Sequence, residues 1–266
     1  MLYLVATPIG NLKDISLRAL EVLKAADEIA CEDTRRSATL LNHYGIKKPL
    51  VSYHKFNERA SGEKIVEKLK AGKNIALITD AGMPVISDPG SMLVRMLMDE
   101  GLEYTVIPGA CAFVSALALS GLEGTKFCFL GFLPDKIGEK KALLQKYASL
   151  DMTIVFYSAP HDADKDIACC YSVFGERNAV AVKEITKLHE SAVRFKLSEG
   201  IEGEKRGEYV ILIDKPEKVS ELNSLTEKEH IKYYLDMGYD KKEALKAAAK
   251  DRGVSKSDLY KFSLDL

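Results

Sequence analysis

The sequence predicts an α/β fold in which two α/β units follow one another and a small helical segment completes the chain. Short β-rich runs alternate with helix-like patterns up to about residue 216, an order typical of layered α/β domains. In the first unit these runs are nearly continuous in apolar residues, as expected for a parallel sheet covered by helices on both faces. Beyond residue 216 only helical patterns remain. We therefore predict an N-terminal α/β domain over 1–122, a C-terminal α/β domain over 123–216 and a helical tail over 217–266.

The elements of the first unit can be assigned in order. LYLVAT predicts a strand, DISLRALEVLKAADEI a helix, IALIT a strand, SMLVRMLMDEG a helix, EYTVIP a strand and ACAFVSALALSG a helix. The turn-rich segment SGLEGTKF ends the unit near residue 124.

The second unit contains a further set of β-rich runs, namely FCFLGFLP, TIVFYS, AVAVKEI, VRFKL and YVILID. In the tail, capping-box patterns from Thr226 to Glu229 and from Asp240 to Glu243 predict the starts of two helices.

Composition limits the classes of function. Of the 266 residues, 47% are apolar and 29% are charged, an ordinary globular composition with a formal net charge of -1. There is no global basic field, so contact with nucleic acid would depend on local Lys/Arg clusters. The five cysteines form no CxxC pair, and the longest apolar stretch is shorter than the roughly 18 residues of a membrane span. The start MLYLVATPIGN also lacks a basic leader pattern, so we expect a soluble cytoplasmic protein.

Common catalytic motifs are missing from the sequence. It contains no GxGxxG, Walker loop, HExxH or GxSxG pattern, and its five histidines lack metal-ligand spacing. We expect no metal site.

Three junctions between a strand and the following turn combine glycine with proline: ATPIGNL, TDAGMPVISDPG and IPGACA. In open α/β sheets, ligands bind beyond the carboxyl ends of the strands, where such loops lie. Glycine allows close approach of the backbone to a ligand, so the loops predict binding through main-chain groups.

Together, these loops and the segments CEDTRRSATLLNHYGI, FLGFLP, VKEITKLHE and GEYVILI resemble the bacterial ribosomal RNA small subunit methyltransferase I family. That family has the tetrapyrrole methylase fold and depends on S-adenosylmethionine. The resemblance covers residues 2 to about 214, and DKKEALKAAAKDRGVSKSDLY resembles the family's helical tail.

The resemblance implies two α/β domains with S-adenosylmethionine in the cleft between them, and a homodimer. It further implies methyl transfer to the 2′-hydroxyl of a cytidine in the decoding centre of 16S rRNA. The cofactor contacts expected from it are Pro8, Ile9, Gly10, Asp80, Gly82, Met83, Cys111, Ala112 and Tyr157.

The candidates for catalysis form a cluster: Asp33, His54, Glu184 and Lys187. A ribose hydroxyl is a very weak acid, so a base or a local positive charge would assist, contributing about 10² to 10⁴ in rate. An ordinary surface pair is an equally good interpretation of Glu184 and Lys187.

Substrate contacts are expected at Arg35, Arg36, Asn57 and Asp88. Asp88 has an alternative interpretation, as the N-cap of a helix that begins near Pro89. Further basic groups that would neutralise phosphates are Lys55, Arg59, Lys136, Lys140 and Lys141, although a solvated charged face is the better interpretation of the DKIGEKK run.

Some positions depart from the family's pattern. Met83 and Val85 stand in DAGMPVISDPG, Cys111 in the third loop, and Ser158 and Asp162 in YSAPHD. Contacts made through the backbone would survive such changes, whereas contacts made by side chains would not.

Two other functions remain open at this point. One is C-methylation of a corrin or porphyrin precursor, which would need a large apolar cleft and arginines that bind acids. The other is a non-catalytic RNA-binding assembly factor, which would fail to bind S-adenosylmethionine.

Overall fold

A computed structural model describes residues 1–203, 207–217, 222, 225–264 and 266. Chain contacts divide it into two units, Met1–Lys215 and Pro216–Leu266. In the described residues, no helix is long and apolar enough to cross a membrane.

The first sheet has five strands: β1 (Leu2–Val5), β2 (Glu28–Cys31), β3 (Leu50–Ser52), β4 (Ile75–Ile78) and β5 (Tyr104–Ile107). Their order is β3-β2-β4-β1-β5, and all pairs are parallel. The parallel sheet predicted from continuous apolar runs is confirmed.

Helices cover both faces of the first sheet. They are α1 (Leu17–Ala25), α2 (Thr34–His43), α3 (Glu58–Lys70) and α4 (Ser91–Asp99). Leu23 of α1 and Leu41 of α2 pack with Ile29 on one face. On the other face, Ile65 of α3 and Leu93 of α4 pack in a second cluster. Because the central strands β1, β2 and β4 bury side chains toward both layers, apolar residues are needed at nearly every position of these strands.

One predicted helix is too long. DISLRALEVLKAADEI was assigned wholly to a helix, but α1 ends at Ala25, and Glu28 and Ile29 already belong to β2. All four residues of β2 are buried, so this short run has no alternation to distinguish it from the end of a buried helix.

The second sheet has the order β6-β7-β10-β8-β9. Its strands are β6 (Phe127–Phe132), β7 (Thr153–Ser158), β8 (Asn178–Lys183), β9 (Ser191–Lys196) and β10 (Tyr209–Ile213). The pair β6/β7 is parallel, and the other three pairs are antiparallel.

Helices α6 (Ile137–Gln145) and α7 (Ala163–Phe174) pack on one face of the second sheet, through residues such as Leu144 and Ile167. The opposite face is covered by α5 (Ala112–Ser120), whose Ala116 and Leu117 pack with Val210. Thus a helix that follows the last strand of the first sheet contributes to the core of the second. The predicted boundary between 122 and 123 stays a prediction.

The unit Pro216–Leu266 contains α8 (Glu227–Asp236), α9 (Lys241–Arg252) and α10 (Lys256–Tyr260). Both predicted capping boxes are confirmed, at Thr226 with Glu229 and at Asp240 with Glu243. The buried side chain of His230 lies between Asp251, at 3.2 Å from its Nε2, and Arg252, whose Nε donates to its Nδ1 at 3.1 Å.

Candidate active site

The three Gly/Pro loops follow β1, β4 and β5, which are neighbours in the first sheet. Thr7 and Gly82 donate backbone hydrogen bonds to each other at 2.9 and 3.1 Å, which joins the first two loops. A Cβ built on Gly82 would lie 3.8 Å from the carbonyl oxygen of Ala110, so the third loop lies against the second. The loops form one wall, as the sequence predicted.

This wall faces the second sheet across a cavity of about 530 Å³. Such a volume is within the roughly 300 to 1,000 Å³ that is typical of small-molecule sites. Seven of the predicted cofactor residues line it: Ile9, Asp80, Gly82, Met83, Cys111, Ala112 and Tyr157. The other two, Pro8 and Gly10, line a neighbouring cavity of about 300 Å³ that shares Ile9 and Asp80 with the first.

Asp80 is held at the carboxyl end of β4 by two donors. Its Oδ1 accepts from the backbone N–H of Asp33 at 3.3 Å, and its Oδ2 accepts from Nη1 of Arg36 at 3.0 Å. These contacts orient the carboxylate at the edge of both cavities.

Four predicted residues do not line either cavity: Asp33, Arg35, His54 and Asn57. Asp33 is the N-cap of α2, where its side chain accepts from the N–H groups of Arg35 and Arg36. The Arg35 hydrogen bond is the main reason that the pKa of Asp33 lies below its ordinary value, so this carboxylate is a poor proton acceptor. Asn57 also has a local role, because its Oδ1 accepts from the N–H of His54 at 2.8 Å.

Glu184 and Lys187 line the cavity and form an ion pair, with 3.0 Å between Oε1 and Nζ. Their turn is packed against the first loop, since a Cβ built on Gly10 would lie 2.5 Å from Cγ of Lys187. Only glycine leaves room for that side chain at this position. The contact of Lys187 with Gly10 therefore joins the turn after β8 to the first loop.

Asp88 lines the cavity and is not a helix cap. Gly90 is the N-cap of α4 and has no side chain to donate or accept, so the capping interpretation is wrong. Burial is the main cause that raises the pKa of Asp88 to about 7, and the nearby carboxylates of Glu32 and Asp80 raise it further. A carboxyl group with such a pKa can exchange a proton near neutral pH.

Strained backbone is concentrated in the loops around this cavity. Four non-glycine residues in the described ranges have positive φ: Val85 (76°), Ser87 (67°), Glu184 (52°) and Thr186 (66°). Such conformations persist only where the surroundings impose them, and they are common at functional sites.

The sequence analysis did not single out several residues in or near the site, among them Glu32, Glu208 and Phe132. Glu32 is partly buried, and its pKa is raised by burial and by Asp80. Glu208 and Phe132 line the cavity from the second sheet. GEYVILI and FLGFLP were already among the matching segments, but nothing local distinguishes a strand end that faces the cavity from one that does not.

Lys140 was wrongly placed on a charged surface. It is buried, and its Nζ forms an ion pair with the buried carboxylate of Asp166. Asp166 also accepts from the hydroxyl of Ser158 at 2.6 Å. Lys140 is therefore not available to RNA.

No group of three or more His, Cys, Asp or Glu side chains in the described part of the chain is arranged to hold a metal ion.

Comparisons with known proteins agree with this geometry. The family model of tetrapyrrole (corrin/porphyrin) methylases matches residues 1–200. Among solved structures, the methyltransferase CobJ is similar at a TM-score of 0.61 and 16% identity, covering 80% of this chain and 93% of that one. Uroporphyrin-III C-methyltransferase from Thermus thermophilus is similar at 0.57 and 19%, covering 80% and 94%. The fold and its cavity define a methyltransferase of the tetrapyrrole methylase class.

Curated relatives identify the branch of this class. Ribosomal RNA small subunit methyltransferase I of Bacillus subtilis (strain 168) is 43% identical over 98% of this chain and 92% of its own length. The protein of the same name from Pasteurella multocida (strain Pm70) is 42% identical over 100% and 97%. This chain belongs to the ribosomal RNA small subunit methyltransferase I family. Family membership implies a methyl donor.

Proposed function

We propose that this protein methylates the 2′-hydroxyl of a cytidine ribose in the decoding centre of 16S rRNA, with S-adenosylmethionine as donor. The observation that carries the proposal is the cavity between the three Gly/Pro loops and the second sheet, in a chain of this family. The substrate would be the small ribosomal subunit, acted on in the cytoplasm by a homodimer.

The residues present suit this donor. The cavity combines apolar side chains, such as Ile9 and Val210, with the backbone of Gly82 and of the third loop. It also contains four carboxylates, from Asp80, Asp88, Glu184 and Glu208. Carboxylates stabilise a cation in a site of low dielectric, and apolar walls exclude water from it. When bound, S-adenosylmethionine supplies a methyl group activated by its sulfonium.

The positioning of donor and acceptor would account for most of the rate enhancement. Holding a methyl donor and an acceptor oxygen in line supplies roughly 7 to 11 kcal/mol toward the barrier, more than a general base contributes. The packed contact between Gly10 and Lys187 keeps the two walls at a defined separation. Arg36, whose side chain is 73% exposed, can contact an RNA phosphate at the edge of the site while its Nη1 holds Asp80.

C-methylation of a tetrapyrrole receives less support. Binding several acidic substituents would require cationic groups around the cavity, and among the residues that the structure describes its lining contains only Arg36 and Lys187. Among the described lining residues these two cations are outnumbered by the four carboxylates, and each pairs with one of them, Arg36 with Asp80 and Lys187 with Glu184. The solved tetrapyrrole methyltransferases named above share the fold at less than 20% identity.

The test is methyl transfer from labelled S-adenosylmethionine to small subunits that lack the modification, with naked rRNA and a porphyrin precursor in parallel. Label recovered as 2′-O-methylcytidine from the subunit sample alone is the expected outcome. Label in the tetrapyrrole would reject the proposed substrate. Donor binding without transfer to any of the three would reject the proposed acceptor, and the absence of donor binding would favour the non-catalytic assembly factor.

A further inference from the structure

Phe132 occupies an unusual position at the edge of the cavity. It is the last residue of β6, lines the cavity and leaves 55% of its surface exposed. A single exposed apolar residue is ordinary on a protein surface, but this ring also lines a ligand-sized cavity, where it can contact a bound molecule.

The exposure of Phe132 follows from a strand irregularity. The pairing of β6 with β7 shifts register between Phe129 and Phe132, and Gly131 within it has a φ of 65°. Bulges of this kind redirect a side chain and are frequent beside active sites. Phe132 is thereby set against Tyr157, with 5.4 Å between ring centroids, and its remaining surface is left free.

The loop that carries Asp88 meets this bulge from the first sheet. A Cβ built on Gly131 would lie 3.3 Å from Oγ of Ser87, the neighbour of Asp88. Tyr157 also lies within electrostatic range of Asp88. Asp88, Phe132 and Tyr157 line the same cavity, and we call these three residues the mouth of the cavity.

Among the described residues, the carboxylate of Asp88 takes part in no hydrogen bond or ion pair that would occupy it. The charged or titratable groups near it are Glu32 just after β2, Asp80 after β4 and Tyr157 on β7. The other charged groups of the cavity lining are Arg36, Glu184, Lys187 and Glu208. The Asp88 carboxylate is therefore able to accept a proton in the same cavity as the aromatic rings of Phe132 and Tyr157.

We propose that the mouth binds the target nucleotide splayed out of the RNA, with Phe132 stacked on its base and Asp88 accepting the proton of its 2′-hydroxyl. This inference rests on the function proposed above. Splayed bases stack on aromatic side chains, and each such contact is worth about 1 to 3 kcal/mol.

The proton balance of the step is complete. The ribose oxygen forms its bond to the methyl carbon while the carbon–sulfur bond breaks, and the electron pair of that bond remains on sulfur. The hydroxyl proton passes to the Asp88 carboxylate, which later releases it to water. No oxidant, reductant or further reactant is required.

The stacking of Phe132 on the base is tested with Phe132→Ala, and Phe127→Ala is the matched control. Phe127 lies at the opposite end of the same strand, is 39% exposed and does not line the cavity. Phe132→Ala should weaken subunit binding, measured by filter binding without turnover, by roughly 5- to 150-fold. Phe132→Tyr should restore it, while the affinity for S-adenosylmethionine, measured by calorimetry, should change little. Equal subunit affinity for the two alanine variants would overturn the stacking role.

The role of Asp88 as proton acceptor is tested with Asp88→Asn. The value of kcat should fall by about 10² to 10⁴, and its rise through about pH 7 in the wild type should vanish, because only the ionised carboxylate accepts a proton. Asp88→Glu should restore part of the rate and the pH dependence. An unchanged pH profile in Asp88→Asn would overturn this role. Failure of the wild type to methylate subunits would instead reject the proposed function itself.

Discussion

Val85 shows how a single residue stores strain in this fold. It is β-branched, yet its φ is 76°, and its side chain packs at the edge of the cluster around Leu93. A β-branched residue at positive φ is a conformational outlier with a cost of about 1 to 3 kcal/mol. The contact between Ser87 and the Gly131 bulge depends on the course of this same loop.

Replacing Val85 by glycine should cost less stability than replacing it by alanine. Both changes remove the two Cγ methyl groups, but only glycine relieves the positive φ, so Val85→Gly should be more stable than Val85→Ala by about 1 kcal/mol. Urea unfolding measures the difference. Val94 of α4, partly buried in the same cluster, is the matched control. There the alanine variant should be the more stable by about 1 kcal/mol. The same order at both sites would contradict the assigned strain.

Asp88 should make stability depend on pH. Its pKa is about 7 in the folded chain and about 3.9 in an unfolded one. The folded state therefore binds more protons between these values, and stability falls as pH rises from about 4 to 7. Asp88→Asn removes this cost and should stabilise the protein at pH 8, on the order of 1 kcal/mol after allowance for partial solvent exposure. Thermal unfolding at pH 8 and pH 4 tests this, since little difference is expected at the lower pH.

Asp33 should affect the pH dependence of stability in the opposite direction to Asp88. Hydrogen bonds from the N–H groups of Arg35 and Arg36 lower its pKa, so its stabilising contribution is present above about pH 4 and is lost as pH falls further. Asn also caps helices well, so Asp33→Asn should keep the cap and lose only the charge. Its effect at pH 8 should be destabilising, where that of Asp88→Asn is stabilising. If both variants shifted stability in the same direction, the assigned electrostatics would be wrong.

At the scale of elements, a buried polar network joins α6, α7 and β7. Lys140, Asp166 and Ser158 lie on these three elements in turn, and all three are nearly inaccessible to solvent. A paired buried charge contributes little net stability, but removing one partner leaves the other uncompensated.

Asp166→Asn should therefore be strongly destabilising. It keeps the shape and a hydrogen bond to Ser158 but leaves Lys140 without a counter-charge, which costs about 3 to 5 kcal/mol. Chemical denaturation of Asp162→Asn is the control, because Asp162 pairs with Lys165 on the surface, where a change within about 0.5 kcal/mol is expected. Similar losses in both variants would show that the buried pair does not act as assigned.

On the scale of the unit Met1–Lys215, the cavity joins two hydrophobic cores. One wall comes from loops of the first sheet and the other from the strands of the second, while α5 carries the chain from one core to the other. A ligand held by both walls binds the folded state alone, so its binding energy adds to stability.

S-adenosylmethionine at 100 times its Kd should stabilise this unit by about 2.7 kcal/mol. For a domain of this size, the unfolding temperature should rise by roughly 5 to 11 °C. Differential scanning fluorimetry measures the rise, with adenosine as a control that lacks the sulfonium. Asp80→Asn should reduce the shift, because it removes a carboxylate held toward the cavity by Asp33 and Arg36. If the unfolding temperature of that variant rose as much as that of the wild type, Asp80 would not be a cofactor contact.

Local patterns in the sequence determined the parallel first sheet, the three Gly/Pro loops, the capping boxes at Thr226 and Asp240, and the family. Each depends on residues close together in the chain: an apolar run, a Gly/Pro turn or a polar residue three positions before a Glu. Such signals act over a few residues, so they can be recognised without knowing what packs against them.

Only the tertiary structure decided what those residues face. Lys140 was buried against Asp166, α5 covered the second sheet, and Asp88 came to lie beside Glu32, which is distant from it in the chain. Burial, ion pairing and pKa depend on which residues distant in the chain become neighbours. The hydrophobic packing of the two sheets determines which residues these are. The sequence by itself therefore determined the class of protein and the loops of its site, whereas the chemistry of individual carboxylates was decided by the fold.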